Sequence, residues 1–216
     1  MQYGLEALHT YLNTTNNQII ALVDKHTLQD CYPKLQTDIP FIQVPYGEVY
    51  KNLNSCEYIW KHLTELKATR KSILLCVGGG VLCDMGSLAG VLYQRGMRVV
   101  LCPTSLLAMV DAAIGGKNGV NFLGFKNYVG TFHQAEETFI CTDFLETLPN
   151  KELVNGYVEM LKHGLIADKS HYDAVKMFFL SNSKHVTEEL IKHSIALKLQ
   201  HTQQDFKDKG IRQRLN

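Results

Sequence analysis

The sequence predicts an α/β fold, with an N-terminal Rossmann-like parallel sheet domain followed by an all-helical domain. Three observations carry that expectation. Through the first 150 residues, short apolar runs alternate with helix-length amphipathic segments, the pattern of βα units on a parallel sheet. One run, Ile73-Leu74-Leu75-Cys76-Val77, contains no polar residue and empties into Gly78-Gly79-Gly80, as a strand covered on both faces and ended by a tight turn would. After Pro149-Asn150 the pattern turns helical, with no further strand-like run. The expected boundary therefore lies near residue 150, between a sheet domain (1–150) and the start of a helical one (151–216).

In chain order, residues 5–13 read as a short amphipathic helix. Gln18-Ile19-Ile20-Ala21-Leu22-Val23 is a buried strand closed by Asp24; a helical stretch at 27–35 and a second strand at 41–44 follow. A carboxylate just past a strand end can meet a ribose hydroxyl or cap the next helix, and Asp24 suits both roles. Pro45-Tyr46-Gly47-Glu48 starts a helix expected to reach about residue 66, with Val49, Leu53, Ile59, Leu63 and Leu66 near helical spacing. Glu48 and Lys51 lie one turn apart at its start, which on a helix surface is an ordinary i,i+3 pair.

The glycine turn at 78–80 then leads to a helix expected over 84–94, with Asp84 as its cap, and to a strand over 98–102 that ends in Pro103-Thr104-Ser105. Three glycines leave backbone amides bare enough for a polyphosphate to approach. The spacing is not G-x-G-x-x-G, so the glycines alone fit a plain βα turn equally well. Ligands of doubly wound sheets gather at the carboxyl ends of the strands. The glycine turn, Asp24, Glu48 and Thr104-Ser105 all fall there, and together they point to a nucleotide.

Residues 106–114 are apolar except for Asp111 and run into Gly115-Gly116-Lys117-Asn118-Gly119, with Lys126-Asn127 soon after. A buried acid is costly unless its charge is paired or used, and lysines and amides on glycine-containing loops suit a phosphate or carboxylate. A strand at 138–141 completes the sheet pattern. The first helix beyond, 151–166, carries Glu159, Lys162 and His163. Glu159 and His163 are four residues apart, a spacing that allows a shared metal and equally a surface pair. Helices at 170–181 and 184–204 follow, and 211–216 looks like a helix beginning.

A net charge of +1 over 216 residues, with 45% hydrophobic and 20% charged residues, describes an ordinary globular protein and gives no support for a nucleic-acid surface. No apolar run approaches the length of a membrane span, and no secretory signal opens the chain. The six cysteines never form C-x-x-C, and three sit in apolar runs, so the expected compartment is the reducing cytoplasm.

With these residues in view, the sequence resembles 3-dehydroquinate synthase of the shikimate pathway, a family of the sugar phosphate cyclases. The likeness rests on Gly78-Gly79-Gly80-Val81-Leu82-Cys83-Asp84, Tyr93-Gln94-Arg95-Gly96, Pro103-Thr104-Ser105-Leu106-Leu107-Ala108-Met109-Val110-Asp111, Gly115-Gly116-Lys117, Lys126-Asn127, Asp143-Phe144-Leu145-Glu146-Thr147-Leu148-Pro149 and Glu159-Met160-Leu161-Lys162-His163-Gly164, in the family's order and spacing. It implies that NAD is held by Asp24, Glu48, Lys51, Gly79, Gly80, Val81, Asp84, Thr104, Ser105, Lys117, Lys126, Phe144 and Thr147. It makes Glu159 a ligand of a catalytic divalent metal, zinc or cobalt. Asp111, Lys117, Asn127, Lys162, Lys198, Arg212 and Asn216 match substrate positions, and Arg95 matches an arginine lent by the partner subunit of a homodimer. The implied reaction converts 3-deoxy-arabino-heptulosonate 7-phosphate into 3-dehydroquinate and phosphate, on the route to chorismate and the aromatic amino acids.

The likeness has gaps. Cys83 stands where the family has glycine, Ser105 for a threonine, Tyr46 for an aspartate and Phe125 for a glycine. The family continues beyond the position of Asn216 with a histidine-rich helix that supplies two metal-ligand histidines, whereas a catalytic zinc takes about three protein ligands. The 216-residue stretch alone is therefore expected to be C-terminally truncated, to bind NAD without synthase activity, and to expose apolar helix surface. The competing readings are another sugar phosphate cyclase, a metal-dependent glycerol or alcohol dehydrogenase, and a non-catalytic NAD-binding remnant.

Overall fold

The structure is a computed structural model and describes residues 1–181 and 186–215. The chain opens with β1 (Gln2–Tyr3), α1 (Leu5–Thr14), β2 (Ile19–Val23), α2 (Lys25–Asp30), β3 (Phe41–Gln43), α3 (Leu53–Glu65), β4 (Ile73–Gly78), α4 (Gly80–Leu92) and β5 (Arg98–Pro103). It continues through β6 (Lys117–Phe122), β7 (Phe125–Phe132), β8 (Glu137–Ile140), α5 (Asn150–Ala167), α6 (Lys169–Leu180) and α7 (Glu188–Gln204).

Six strands pair in the order β1-β8-β5-β4-β2-β3, every pair parallel. Side chains alternate between faces along a strand, and two cores follow from that period. Ile19, Ala21, Val23, Ile73, Leu75, Val77, Val100 and Cys102 face one core. Ile20, Leu22, Leu74, Cys76, Val99 and Leu101 face the other. Cys56, Ile59 and Leu63 of α3 and Leu82, Met85 and Leu88 of α4 cover the second face. The first face is covered by Leu8 of α1 and by Leu153, Tyr157, Met160, Val175, Ile191 and Ile195 from the three helices after residue 150. The predicted helical part thus shares a core with the sheet.

Several elements differ from expectation for local reasons. The helix expected from residue 45 is broken: a short 3-10 turn spans Glu48–Tyr50, and α3 starts only after Asn52, whose side chain accepts from the Ser55 amide. Asn outranks the preceding residues as a cap. The helix after the glycine turn begins at Gly80, so Asp84 lies inside its second turn and does not cap it. Asp24 caps α2, accepting from the amides of His26 and Thr27 in a reciprocal capping box with Thr27. The glycine-rich region 115–132 is a two-stranded antiparallel hairpin, β6–β7, turned at Leu123 and Gly124, both with positive φ. Ala108–Ala112 is one π-helical turn, in which the amide of Ala113 reaches back five residues to the carbonyl of Ala108 at 3.0 Å. The helix expected from 184 begins outside the described residues and is seen as α7. Among the described residues, no helix is long and apolar enough to cross a membrane.

Candidate functional site

The carboxyl ends of β2, β4 and β5 bring the first group together. Register pairs Gly78 with Pro103, and the amide of Thr104 donates to the carbonyl of Gly78. A Cβ on Gly78 would fall 2.2 Å from Leu82 Cδ1, and one on Gly79 would reach Ser105 Oγ at 3.4 Å. The turn is bare where it faces Ser105 and tight where it packs on its own helix. Gly79 caps α4 without a side chain, so the first amides of α4 are left to an anion, the arrangement that holds phosphates in dinucleotide sites. Cys83 is buried, with its thiol donating to the Gly78 carbonyl at 3.5 Å.

Lys51 is buried at 4% exposure and reaches across this turn. Its Nζ lies 2.5 Å from Asp84 Oδ2 and 2.6 Å from Asn127 Oδ1. Burial pushes the Asp84 carboxyl up to about 6, although Lys51 draws it down. The hairpin is pinned here by more than Asn127. Asn121 donates its side-chain amide to Glu48 and its backbone amide to the Lys51 carbonyl, and accepts from the Asn127 amide. Lys126 stands exposed beside it.

A second group sits where the π-helical turn meets α5 and α7. Lys198 is buried; its Nζ pairs with the Asp111 carboxylate and lies 2.5 Å from the Asp111 carbonyl. Burial alone would push Asp111 up, but Lys198 outweighs it and holds the carboxyl below its ordinary value. Burial lowers Lys198 in turn, against the pull of Asp111. Lys162 donates to the Leu215 carbonyl at 2.7 Å and lies 2.5 Å from Glu159 Oε1. The buried Arg212 guanidinium donates to the Phe206 carbonyl and lies against Gly115, where a Cβ would come within 2.8 Å of it. Lys117 pairs with Asp208. The two groups adjoin: a Cβ on Gly80 would lie 3.2 Å from the Cβ of Ala112.

Asp111, Glu159 and His163 each offer a ligand atom within 4.8 Å of the others, the one such group among the described residues. Carboxylate and imidazole donors suit a divalent transition metal. Glu159 Oε1 and His163 Nε2 face each other at 3.3 Å, both buried and outside hydrogen-bond geometry, with Lys162 ion-paired to the same oxygen; the imidazole nitrogen is thus the buried polar atom that a site shaped for an ion leaves behind. The residues therefore fit a metal.

Other predicted residues are placed apart. Phe144 is in the core after β8, and Thr147 is exposed nearby. Arg95 is exposed beyond α4 in a surface hollow with Arg70, Leu92 and Gln94, away from both groups, with φ at +65°. Asn216 lies outside the described residues. Sequence reasoning missed Ser194, which is fully buried against His163; no sequence signal joins positions 31 residues apart.

The comparisons bear on this geometry. The 3-dehydroquinate synthase N-terminal family model matches residues 41–155, and the 3-dehydroquinate synthase C-terminal model matches 156–216. A 3-dehydroquinate synthase from Pyrococcus furiosus is 46% identical over 175 residues, 81% of this chain and 52% of its own length. One from Parabacteroides distasonis is 39% identical over 207 residues, 93% of this chain and 58% of its own. The chain spans about half the length of these curated relatives. Among solved structures, a 2-epi-5-epi-valiolone synthase from Streptomyces hygroscopicus with NAD+ and Zn2+ bound superposes with a TM-score of 0.88 at 25% identity, over 99% of this chain and 63% of that one.

Proposed function

The chain belongs to the 3-dehydroquinate synthase family, and on that premise we propose that it serves in the conversion of 3-deoxy-arabino-heptulosonate 7-phosphate to 3-dehydroquinate and phosphate, in chorismate biosynthesis, with NAD and a divalent metal. The observation that carries the reading is the junction of Lys162, Lys198 and Arg212 with Asp111 and Glu159 beside the glycine turn. A dianionic sugar phosphate needs such cations on a rigid frame, and a redox cofactor must lie within reach of it.

When bound, the cofactors supply reversible hydride exchange at a substrate alcohol and Lewis acidity toward that hydroxyl. The chain's own residues do the rest. The amides of Gly80 and Val81 receive the pyrophosphate, with Ser105 and Thr104 beside them and Asp24, Glu48, Lys51, Asp84, Lys117, Lys126, Phe144 and Thr147 completing the NAD positions. Glu159 holds the metal. Lys162, Lys198, Arg212, Lys117, Asn127 and Asn216 bind the substrate's phosphate, carboxylate and hydroxyls, and Asp111 orients a hydroxyl through its link to Lys198. Residues 1–150 act as the NAD-binding unit and 151–216 belong to the metal and substrate unit. The family models meet close to that point, at 155 and 156.

Arg95 acts in the partner's site of a homodimer, a role supported by its exposure away from its own cluster. A cytoplasmic setting is supported by six cysteines that are all free. A second reading, another sugar phosphate cyclase, is favoured by the likeness to the valiolone synthase at 25% identity. The 46% identity to a 3-dehydroquinate synthase outweighs it. The deciding experiment follows phosphate release and ring-closed product from the heptulosonate phosphate, sedoheptulose 7-phosphate and glucose 6-phosphate, using the protein with NAD and Zn2+ or Co2+. Turnover of the first alone is expected, and turnover of either other sugar in its place would refute the assignment.

A further inference from the structure

Asp205 closes α7, and the chain then curls through residues 206–211 to the buried Arg212. Residues 206–210 belong to no helix or strand, so no ladder satisfies their amides. The Asp205 side chain does so instead. Its Oδ1 accepts from the Lys209 amide at 2.9 Å, and its Oδ2 accepts from the amides of Gly210 at 2.6 Å and Arg212 at 3.3 Å. Its own carbonyl accepts from the Asp208 amide at 3.2 Å. Hydrogen bonds to an ionised carboxylate are stronger than those between neutral groups. The Lys209 amide foremost, then those of Gly210 and Arg212, hold the Asp205 carboxyl below its ordinary value against desolvation.

The loop so shaped lies along Gly115-Gly116-Lys117. The Arg212 guanidinium packs on Gly115, the Phe206 ring packs on Gly116, where a Cβ would fall 2.9 Å from Cε2, and Asp208 pairs with Lys117. Arg212 is 2% exposed, yet it makes no ion pair among the described residues. Its one side-chain hydrogen bond there runs from Nη1 to the Phe206 carbonyl at 2.9 Å, an acceptor on the same loop. A buried cation without a counter-charge is costly, so the pose of Arg212 depends on the backbone that carries it, and Asp205 fixes that backbone.

We propose that Asp205 is a positioning residue for substrate binding: its carboxylate folds the 206–210 loop and thereby sets the Arg212 guanidinium beside Gly115, ready for an anionic group of the sugar phosphate. The functional half of this inference rests on the substrate position assigned to Arg212 above.

The test has two arms. In the first, amide hydrogen exchange and 1H–15N spectra are compared for wild type, Asp205→Asn and Asp205→Ala. Exchange at the Lys209, Gly210 and Arg212 amides should quicken at least about tenfold in Asp205→Ala. Asp205→Asn keeps one carbonyl acceptor and should lose less. The Arg212 Nε–H signal should broaden in the same order. Unchanged exchange at Gly210, or an Arg212 signal indifferent to Asp205, overturns the proposal. In the second arm, kcat and KM are measured with the heptulosonate phosphate, NAD and Co2+. Asp205→Ala should raise the sugar phosphate KM by about 10–100-fold with kcat little changed, and Asp205→Asn should recover part of the loss. In an Arg212→Ala background, Asp205→Ala should cost little more, because the two act as one unit. Additive losses, or a fall in kcat with KM unchanged, overturn the positioning role. A wild type that turns over no heptulosonate phosphate, with the first arm as expected, upholds the placing of Arg212 by Asp205 and overturns the assigned reaction.

Discussion

The sheet and the helices after residue 150 share a core, yet they treat buried polarity differently. In the sheet half, the deeply buried cation Lys51 meets both Asp84 and Asn127, and Asp24 is fully engaged as a cap. In the helical half, Tyr157 Oη, His163 Nε2 and both ring nitrogens of His171 are buried without a hydrogen bond. The same half turns Val158, Leu165, Met177 and Leu180 outward at 59–74% exposure. The sheet half has its own exceptions, Tyr11 Oη buried without a partner and Leu123 and Phe125 exposed on the hairpin tip. The contrast is therefore one of concentration: the buried charges of the sheet half are paired, whereas unpartnered buried polar atoms gather in the helical half.

The sharpest way to break that contrast is to unbalance the sheet half. Lys51→Met leaves Asp84 buried without its cation, and removing one partner of a buried pair costs about 3–5 kcal/mol. Urea denaturation at pH 8 should show that loss. A smaller loss is expected at pH 5, where a carboxyl titrating near 6 is protonated. A cost below about 1 kcal/mol at both pH values would mean that the pair does not hold the turn.

Glycine-to-alanine changes compare the packing of the halves. At Gly164, between α5 and α6, a Cβ would lie 2.6 Å from the Tyr172 backbone, so the helices must part. At Gly86 it would meet the Cys76 sulfur and the tip of Leu22, which can shift. After the helix-propensity gain of alanine, a net loss of about 2 kcal/mol is expected for Gly164→Ala and less than about 1 kcal/mol for Gly86→Ala. Denaturation midpoints in the reverse order would show that side-chain crowding in the sheet is the more rigid constraint.

His171 sharpens the comparison through pH. Burial lowers its pKa to about 4, with His193 and His163 adding to the effect and Asp168 opposing it. The unfolded chain takes up a proton near 6.5 and the folded chain does not, so stability is lost as pH falls from about 6.5 toward 4. Wild type should lose on the order of 1 kcal/mol more than His171→Leu between pH 7 and 5, read as the difference in urea midpoints. Parallel curves would place the acid sensitivity elsewhere. The smallest effect belongs to the exposed Lys169–Asp173 pair on α6: Lys169→Ala should leave the midpoint unchanged at any salt concentration.

The parallel sheet was legible in the sequence because β2 and β4 are apolar without interruption, and burial on both faces demands that. The glycine turn and the paired cations were legible as residue types at strand ends. What escaped reading was set by contacts across long separations. Whether Asp84 caps or pairs is decided by Lys51, 33 residues away. The hairpin β6–β7 was hidden by its glycines, since Gly119 and Gly130 lie so close that a Cβ on either would strike the opposite backbone. Its Leu123-Gly124 turn lacks the usual Asn-Gly or Asp-Gly signal. The family resemblance supplied residue roles that periodicity alone does not contain, and the Ser194–His163 contact lay beyond both.

The π-helical turn at Ala108–Ala112 constrains how this chain can change length. Such a turn holds one residue more than an α-turn. A one-residue deletion there would be absorbed by reversion to an ordinary helix, with the flanking strands undisturbed. Side chains outside the turn would keep their facing, but those within it would be re-registered, and Asp111 would lose its register with Lys198. A chain shortened by one residue in this turn would keep its fold while losing the Asp111–Lys198 pair.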